Sequence, residues 1–128
     1  GVDLTKDTDV PSLQEASAAG RGFAVSGGVA KAVVDVIHRD DPAREVPTAK
    51  AEGLRECRQL MALAKAGKYN GYLLEGMACP GGCVAGAGTL LSVDLASRIV
   101  SRYQTETDRK SPLDSRYSEV GQTLANDE

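Results

Sequence analysis

The chain has 128 residues, a size that suits one compact domain or one lobe of a larger one. Its net charge of −3, with basic residues scattered rather than clustered, argues against nucleic acid as a partner, because phosphate binding needs a basic face. No apolar run approaches the roughly 20 residues that cross a bilayer, and the first residues lack the basic start and apolar stretch of a secretory signal, so a cytoplasmic protein with no membrane contact is expected.

Residues 1–20 are polar and acidic, without sustained periodicity, and read as a connecting arm. The run Phe23-Ala24-Val25-Ser26-Gly27-Gly28 follows. Ser26 is placed to cap a helix that carries Val29, Val33, Val36 and Ile37 on one face. That helix is expected to stop near Asp40-Asp41-Pro42, since the residue before proline avoids helical geometry. His38, in its last turn, suits the helix dipole. Gly27 and Gly28 are assigned to packing or a turn, because no phosphate-binding glycine pattern surrounds them.

Glu45 to Ala51 reads as a short strand, with Pro47 confined to an edge or a strand start. A second helix is expected over Leu54 to Ala66, with Leu54, Cys57, Met61 and Ala64 at helical spacing and Gly67 as its terminator. Cys57 on that stripe reads as a core thiol. Tyr69-Asn70-Gly71 supplies a turn, and Tyr72-Leu73-Leu74 begins a buried strand that runs into the glycine-rich stretch 76–88. A third helix follows the cap Ser92, with Val93, Ala96, Val100 and Tyr103 on its apolar face. Residues 104–110 read as a solvated surface. Ser111-Pro112 then opens a last helix marked by Leu113, Tyr117, Val120 and Leu124. Helices alternating with short apolar strands predict an α/β fold, helices packed on a small, mostly parallel sheet. The divisions are an arm over 1–20, a lobe over 21–104 and a helical extension over 105–128.

Hydrophobic residues make up 41% of the chain but aromatics only 4%, so the core must come from Val, Leu, Ile and Ala. The cysteines Cys57, Cys79 and Cys83 are odd in number, which disfavours a disulfide framework and directs attention to metal or redox chemistry. Cys79 and Cys83 are separated by Pro80-Gly81-Gly82. Two thiolates at this spacing suit an iron–sulfur centre or zinc. They are equally readable as buried thiols beside a glycine turn. A three-residue gap departs from the two-residue gap of dithiol oxidoreductases. Glycines between them let the backbone curl around a bulky inorganic core and turn its amides toward sulfur. Spacing alone leaves these alternatives open.

The run Glu75-Gly76-Met77-Ala78-Cys79-Pro80-Gly81-Gly82-Cys83-Val84-Ala85-Gly86 resembles the last cluster-binding signature of the iron-only (FeFe) hydrogenases. Upstream, Gly22-Phe23-Ala24-Val25-Ser26-Gly27-Gly28-Val29-Ala30-Lys31-Ala32 is similar to a second segment of that family. The resemblance covers roughly Gly20 to Tyr103. It departs at Gly86-Ala87-Gly88-Thr89-Leu90, where the family often continues Gly-Gly-Gly-Gln-Pro.

The resemblance implies one lobe of the hydrogenase catalytic domain and an H-cluster, a 4Fe–4S cubane joined through a cysteine sulfur to a two-iron subcluster. It implies Cys79 as a terminal cubane ligand, Cys83 as the bridging thiolate and Met77 as a polarisable wall. Glu75, Gly81 and Gly82 would support the loop. The implied reaction is reversible reduction of protons to hydrogen, with a ferredoxin or similar electron carrier as partner. A cubane needs two more cysteines, and Cys57 cannot supply both. The chain is therefore expected to be the C-terminal part of a longer enzyme, inactive and without cluster by itself, whose missing N-terminal part brings the other ligands. The alternative is an iron–sulfur relative that acts in cluster assembly or redox sensing.

Overall fold

A computed structural model describes residues 15–115, 117 and 118. Among these, the regular elements are α1 (Ala18–Arg21), α2 (Gly28–Asp40), β1 (Thr48–Glu52), α3 (Leu54–Lys65), β2 (Leu73–Met77) and α4 (Val93–Thr105). Single 3-10 turns lie at Gly22–Ala24, Cys83–Ala85 and Pro112–Asp114. The two strands pair in parallel, from Thr48 opposite Leu73 to Glu52 opposite Met77. A parallel pair needs a crossover, and α3 provides it. The fold is α/β, helices on a small parallel sheet, as the sequence pattern indicates.

The strand ends differ from the reading of the sequence. β1 begins at Thr48 rather than Glu45 and extends to Glu52. Pro47 has no N–H for the ladder, and instead its carbonyl accepts from Leu73 N at 2.9 Å, just ahead of the paired register. α3 ends where expected. Gly67 N donates to Ala64 O at 2.9 Å and Lys68 N to Leu63 O at 3.1 Å, the paired bonds that close a helix at glycine.

The buried stripe of α3 is not the one its spacing suggested. Leu54 and Met61 are 75% and 63% exposed, whereas Leu60 is buried at 8%. Cys57 and Ala64 are half-buried. A sheet two strands wide, about 5 Å between strands, covers only a narrow strip of a helix about 10 Å across. The strip centred on Cys57 and Leu60 wins. Similarly α2 buries Ala30 and Ala32, leaving Val29 and Val33 exposed.

Two further corrections concern the ends. Residues 18–20, expected within the arm, form with Arg21 a helical turn capped by Ser17, whose hydroxyl accepts from Gly20 N at 3.1 Å. The segment 104–110, expected to be solvated, holds that turn in place. Arg109 O accepts from Ala18 N at 2.7 Å and Lys110 O from Ala19 N at 3.3 Å. Gln104 Nε2 donates to Ala18 O at 3.0 Å, Arg109 Nη1 donates to Glu15 O at 3.1 Å, and Thr107 is buried. Thr105, Glu106, Asp108 and Lys110 are exposed as expected, while the backbone carbonyls of the segment satisfy the amides of α1. Ser111 opens a 3-10 turn with a reciprocal capping box to Asp114. Val120 and Leu124 of the expected last helix lie outside the described residues.

The two sheet faces have different tasks. Glu75 and Lys50 are register partners, as are Met77 and Glu52, and paired residues share a face that alternates along each strand. The Glu75 carboxylate bonds to the N-terminus of α2, which assigns this face to α2. Ala51 and Gly76 face α3. A Cβ on Gly76 would stand 3.1 Å from Cys57 Sγ. Cys57 is thus the partly buried packing thiol its sequence position suggested, its S–H directed at Ala51 O and Met77 O, 3.7 and 3.6 Å away.

Candidate metal-ligand loop

The cysteine loop leaves the end of β2 and returns to α4 through a chain of tight turns. Gly82 N donates to Cys79 O at 2.9 Å, closing a four-residue turn with Pro80 and Gly81 at its centre. Proline then glycine is the order that a type II turn demands, with φ positive at the second position, and Gly81 has φ 90°. Gly82 follows at φ 101° and ψ −167°, a region essentially reserved for glycine. A Cβ there would also lie 2.6 Å from Ala24 O and from Ser26 N. Next, Ala85 N bonds to Gly82 O at 3.0 Å and Gly86 N to Cys83 O at 2.9 Å. Val84 turns inward and is buried, while Cys83 is exposed and Cys79 half-buried.

The centre of this loop is fastened on both sides. Gly81 O accepts from Ser26 N at 3.1 Å. Gly81 N donates to Glu52 Oε2 at 2.8 Å. The other Glu52 oxygen is 3.1 Å from Lys50 Nζ, and Glu52 N is itself fixed by Glu56 Oε2 at 3.1 Å. Val93, the first residue of α4, packs so closely that a Cβ on Gly81 would meet its Cγ1 at 2.5 Å.

The carboxyl of Glu52 is held below the usual carboxylate range by the facing Ser26 hydroxyl, then Lys50, then the Gly81 amide. Among the described residues the Ser26 hydroxyl, closed off from solvent, has no hydrogen-bond partner of good geometry, so the firm bonds to Glu52 are those from Lys50 and Gly81. Glu52 is the residue that the sequence reading passed over. It lies far from the cysteines in sequence, and only the register opposite Met77 brings it to the loop.

Glu75, expected to support the loop, makes its hydrogen bonds to the start of α2 and not to the loop itself. It lies in the middle of β2 and is buried. Its Oε1 accepts from Gly27 N at 2.5 Å and its Oε2 from Ala30 N at 2.7 Å. It therefore caps α2 from strand β2, the task expected of Ser26. The N-cap of α2 is Gly27 at φ 91°, with no side-chain cap of its own. This arrangement satisfies the helix-end amides and places an anion at the positive end of the dipole. Gly28 abuts the Gly22 carbonyl, which makes this glycine pair a matter of packing and turning. His38 Nε2 lies 2.9 Å from Arg44 O, beyond the end of α2 and away from the cysteine loop.

Cys79, Cys83, Gly81, Gly82 and Met77 are thus gathered in one strand end and the loop that follows it. Cys57 is on the α3 side of the sheet. Among the described residues, no three His, Cys, Asp or Glu side chains come together to hold a metal ion. No described helix is long and apolar enough to cross a membrane.

No curated protein matches the chain. The family model "iron only hydrogenase large subunit, C-terminal domain" matches residues 1–87. The matched span starts ahead of the resemblance read from Gly20 and stops short of α4. It contains both strands, the cap of α2 and the whole Cys79-to-Cys83 turn. With 87 of 128 residues matched through the cysteine loop, the chain belongs to the iron-only hydrogenase large-subunit family, in its C-terminal domain.

Proposed function

We propose that this chain presents Cys79 and Cys83 as two thiolate ligands of the iron–sulfur centre at which a hydrogenase reversibly reduces protons to hydrogen. The observation that carries this reading is the Cys-Pro-Gly-Gly-Cys turn, whose residue Gly81 is clamped at both its N–H and its carbonyl while Cys83 stays exposed. A buried pair of packing thiols needs no such construction.

The residues present fit such a centre in kind, and supply half of it in number. Thiolates are the soft ligands of iron–sulfur clusters, and a cubane takes about four of them. At Gly86 the missing Cβ leaves room beside a thiol, since Cys79 Sγ is 3.9 Å from where that Cβ would stand, whereas Gly81 and Gly82 make room for Val93 and the Ala24–Ser26 backbone. The other ligands come from polypeptide beyond these residues, which we take to be the N-terminal part of the same enzyme. When bound, the cluster supplies electron storage and the metal site for proton reduction. In this assignment Cys79 and Cys83 would hold the centre through their thiolates, Cys79 on the cubane and Cys83 shared with the two-iron unit. Met77, at the end of β2, gives a polarisable flank. The partner is a ferredoxin-type electron carrier in the cytoplasm.

The test is hydrogen evolution by the complete, matured enzyme, set beside iron content after anaerobic reconstitution. Cys79→Ala is expected to lose cubane iron and activity together. Cys83→Ala is expected to lose activity and the two-iron signature. The chain alone is expected to hold less than one stable cubane. Hydrogen evolution that survives both substitutions overturns the assignment. Intact cubane spectra without hydrogen turnover would instead identify a relative that assembles clusters or senses redox state.

A further inference from the structure

Resting on the reading of Cys79 and Cys83 as ligands, we infer that Glu52 is a positioning residue that sets the cysteine turn before any metal arrives. The inference starts from an apparent electrostatic mismatch. A carboxylate stands beside a loop that is to gather anionic thiolates, where added negative charge opposes cluster binding. Its use there is geometric. Glu52 Oε2 takes the Gly81 amide at 2.8 Å, and Gly81 is the residue at φ 90° around which the two cysteines turn. Lys50 Nζ, 3.1 Å from the other oxygen, offsets the charge and aims the carboxylate.

The attachment of Glu52 to the rest of the fold is firm. Its own N–H is taken by Glu56, and the adjacent Gly53 N donates to Met77 O at 2.8 Å, where β2 gives way to the loop. From the opposite side, Ser26 N holds Gly81 O. The Gly81 peptide is thereby strung between the end of β1 and the turn that starts α2. With Glu52 removed, the Gly81 amide loses its partner, and the Pro80–Gly81 peptide is held only by the turn bond from Gly82 N to Cys79 O, the bond from Ser26 N and the packing of Val93. Groups that orient a ligand from behind it typically matter about 10- to 100-fold in metal affinity.

The experiment uses cadmium(II) as a thiophilic probe of the chain in a Cys57→Ala background, so that only the loop thiols report. Affinity is read from the thiolate–cadmium absorbance, and exchange of the Gly81 amide is followed without metal. Glu52→Asp, one methylene short, and Glu52→Ala are each expected to weaken cadmium about 10- to 100-fold and to speed Gly81 exchange. Glu52→Gln keeps an acceptor oxygen for Gly81 and is expected to stay within about threefold of the parent. If Glu52→Ala fails to fold, the contrast between Asp and Gln at matched melting temperatures decides. A merely structural carboxylate would not separate those two. Parental cadmium affinity and Gly81 exchange in Glu52→Asp would overturn the inference. A parent chain that takes up no cadmium through both loop thiols overturns the ligand reading and this inference together. Cadmium uptake that depends on Glu52 in a family member without hydrogen turnover would overturn only the hydrogenase reading.

Discussion

Glu75→Gln replaces one oxygen of the carboxylate that caps α2 and leaves the shape of the side chain nearly unchanged. Its two bonds, to Gly27 N at 2.5 Å and Ala30 N at 2.7 Å, are both charge-assisted, a class worth about 1.5–3 kcal/mol each. Glutamine has a single acceptor oxygen, so one N–H keeps a neutral bond and the other faces an NH2 group. The favourable interaction with the helix dipole, about 0.3–2 kcal/mol, is also lost. The net destabilisation is about 2–4 kcal/mol. For a chain of this length that corresponds to a fall of roughly 10 °C in melting temperature. Thermal melting followed by circular dichroism measures it, and amide exchange at Gly27 and Ala30 locates it. The turn that contains Gly27 also holds Gly81 through Ser26 N, so exchange at Gly81 should quicken as well. A melting temperature within about 2 °C of the parent, with unchanged exchange at Gly27 and Ala30, would refute the capping argument.

Gly82→Ala forces a side chain into φ 101° and against Ala24 O and Ser26 N at 2.6 Å. It should cost about 2–4 kcal/mol, read as a lower melting temperature, and should abolish cadmium uptake by the loop. Cys57→Ala removes a half-buried thiol behind β2 and should cost about 1 kcal/mol while leaving iron or cadmium binding at the loop as it was. Asp114 is held below the usual carboxylate range first by the Ser111 amide, then by Arg39 and the Lys110 amide. With the folded pKa depressed, its stabilisation is present above the unfolded pKa and disappears as pH falls through the lower folded value. Exchange of the Ser111 amide, corrected for intrinsic rate, should therefore rise only at acid pH, and Asp114→Asn should remove that pH dependence.

Much of this site is legible from the chain alone because its most informative part is contiguous. Cys79-Pro80-Gly81-Gly82-Cys83 announces a tight turn with a thiol at each end, and the fold builds that turn from the bonds its residue types allow. Helix boundaries at Asp40, Lys65 and Ser92 follow similarly from local rules: proline, a glycine terminator and a serine cap. What escaped is non-local. The cap of α2 was assigned to neighbouring Ser26, whereas the amides are taken by Glu75, 48 and 45 positions away from its two partners. Charged residues 104–110 read as solvated surface because nothing local shows that their carbonyls complete α1. The stripe of α3 was misread because periodicity gives the angular width of an apolar face and not which strip a two-stranded sheet will cover.

These misses share a physical cause that bears on the ligands. Glu52 and Glu75 each leave a strand to satisfy backbone amides in another element, one at the cysteine turn and one at the turn that braces it. Both are on the same face of the sheet, and both turns meet at the bond from Ser26 N to Gly81 O. Beyond the loop's own turn bonds, two carboxylates outside the cysteine turn therefore brace the thiols, Glu52 directly and Glu75 through the turn at Ser26. Substituting Glu52 and Glu75 together should show the coupling directly. If the two carboxylates brace one turn, cadmium affinity in Glu52→Asp/Glu75→Gln will fall by a factor different from the product of the single effects, by an interaction of about 0.5–3 kcal/mol. Strict additivity would mean that the two turns hold the loop independently.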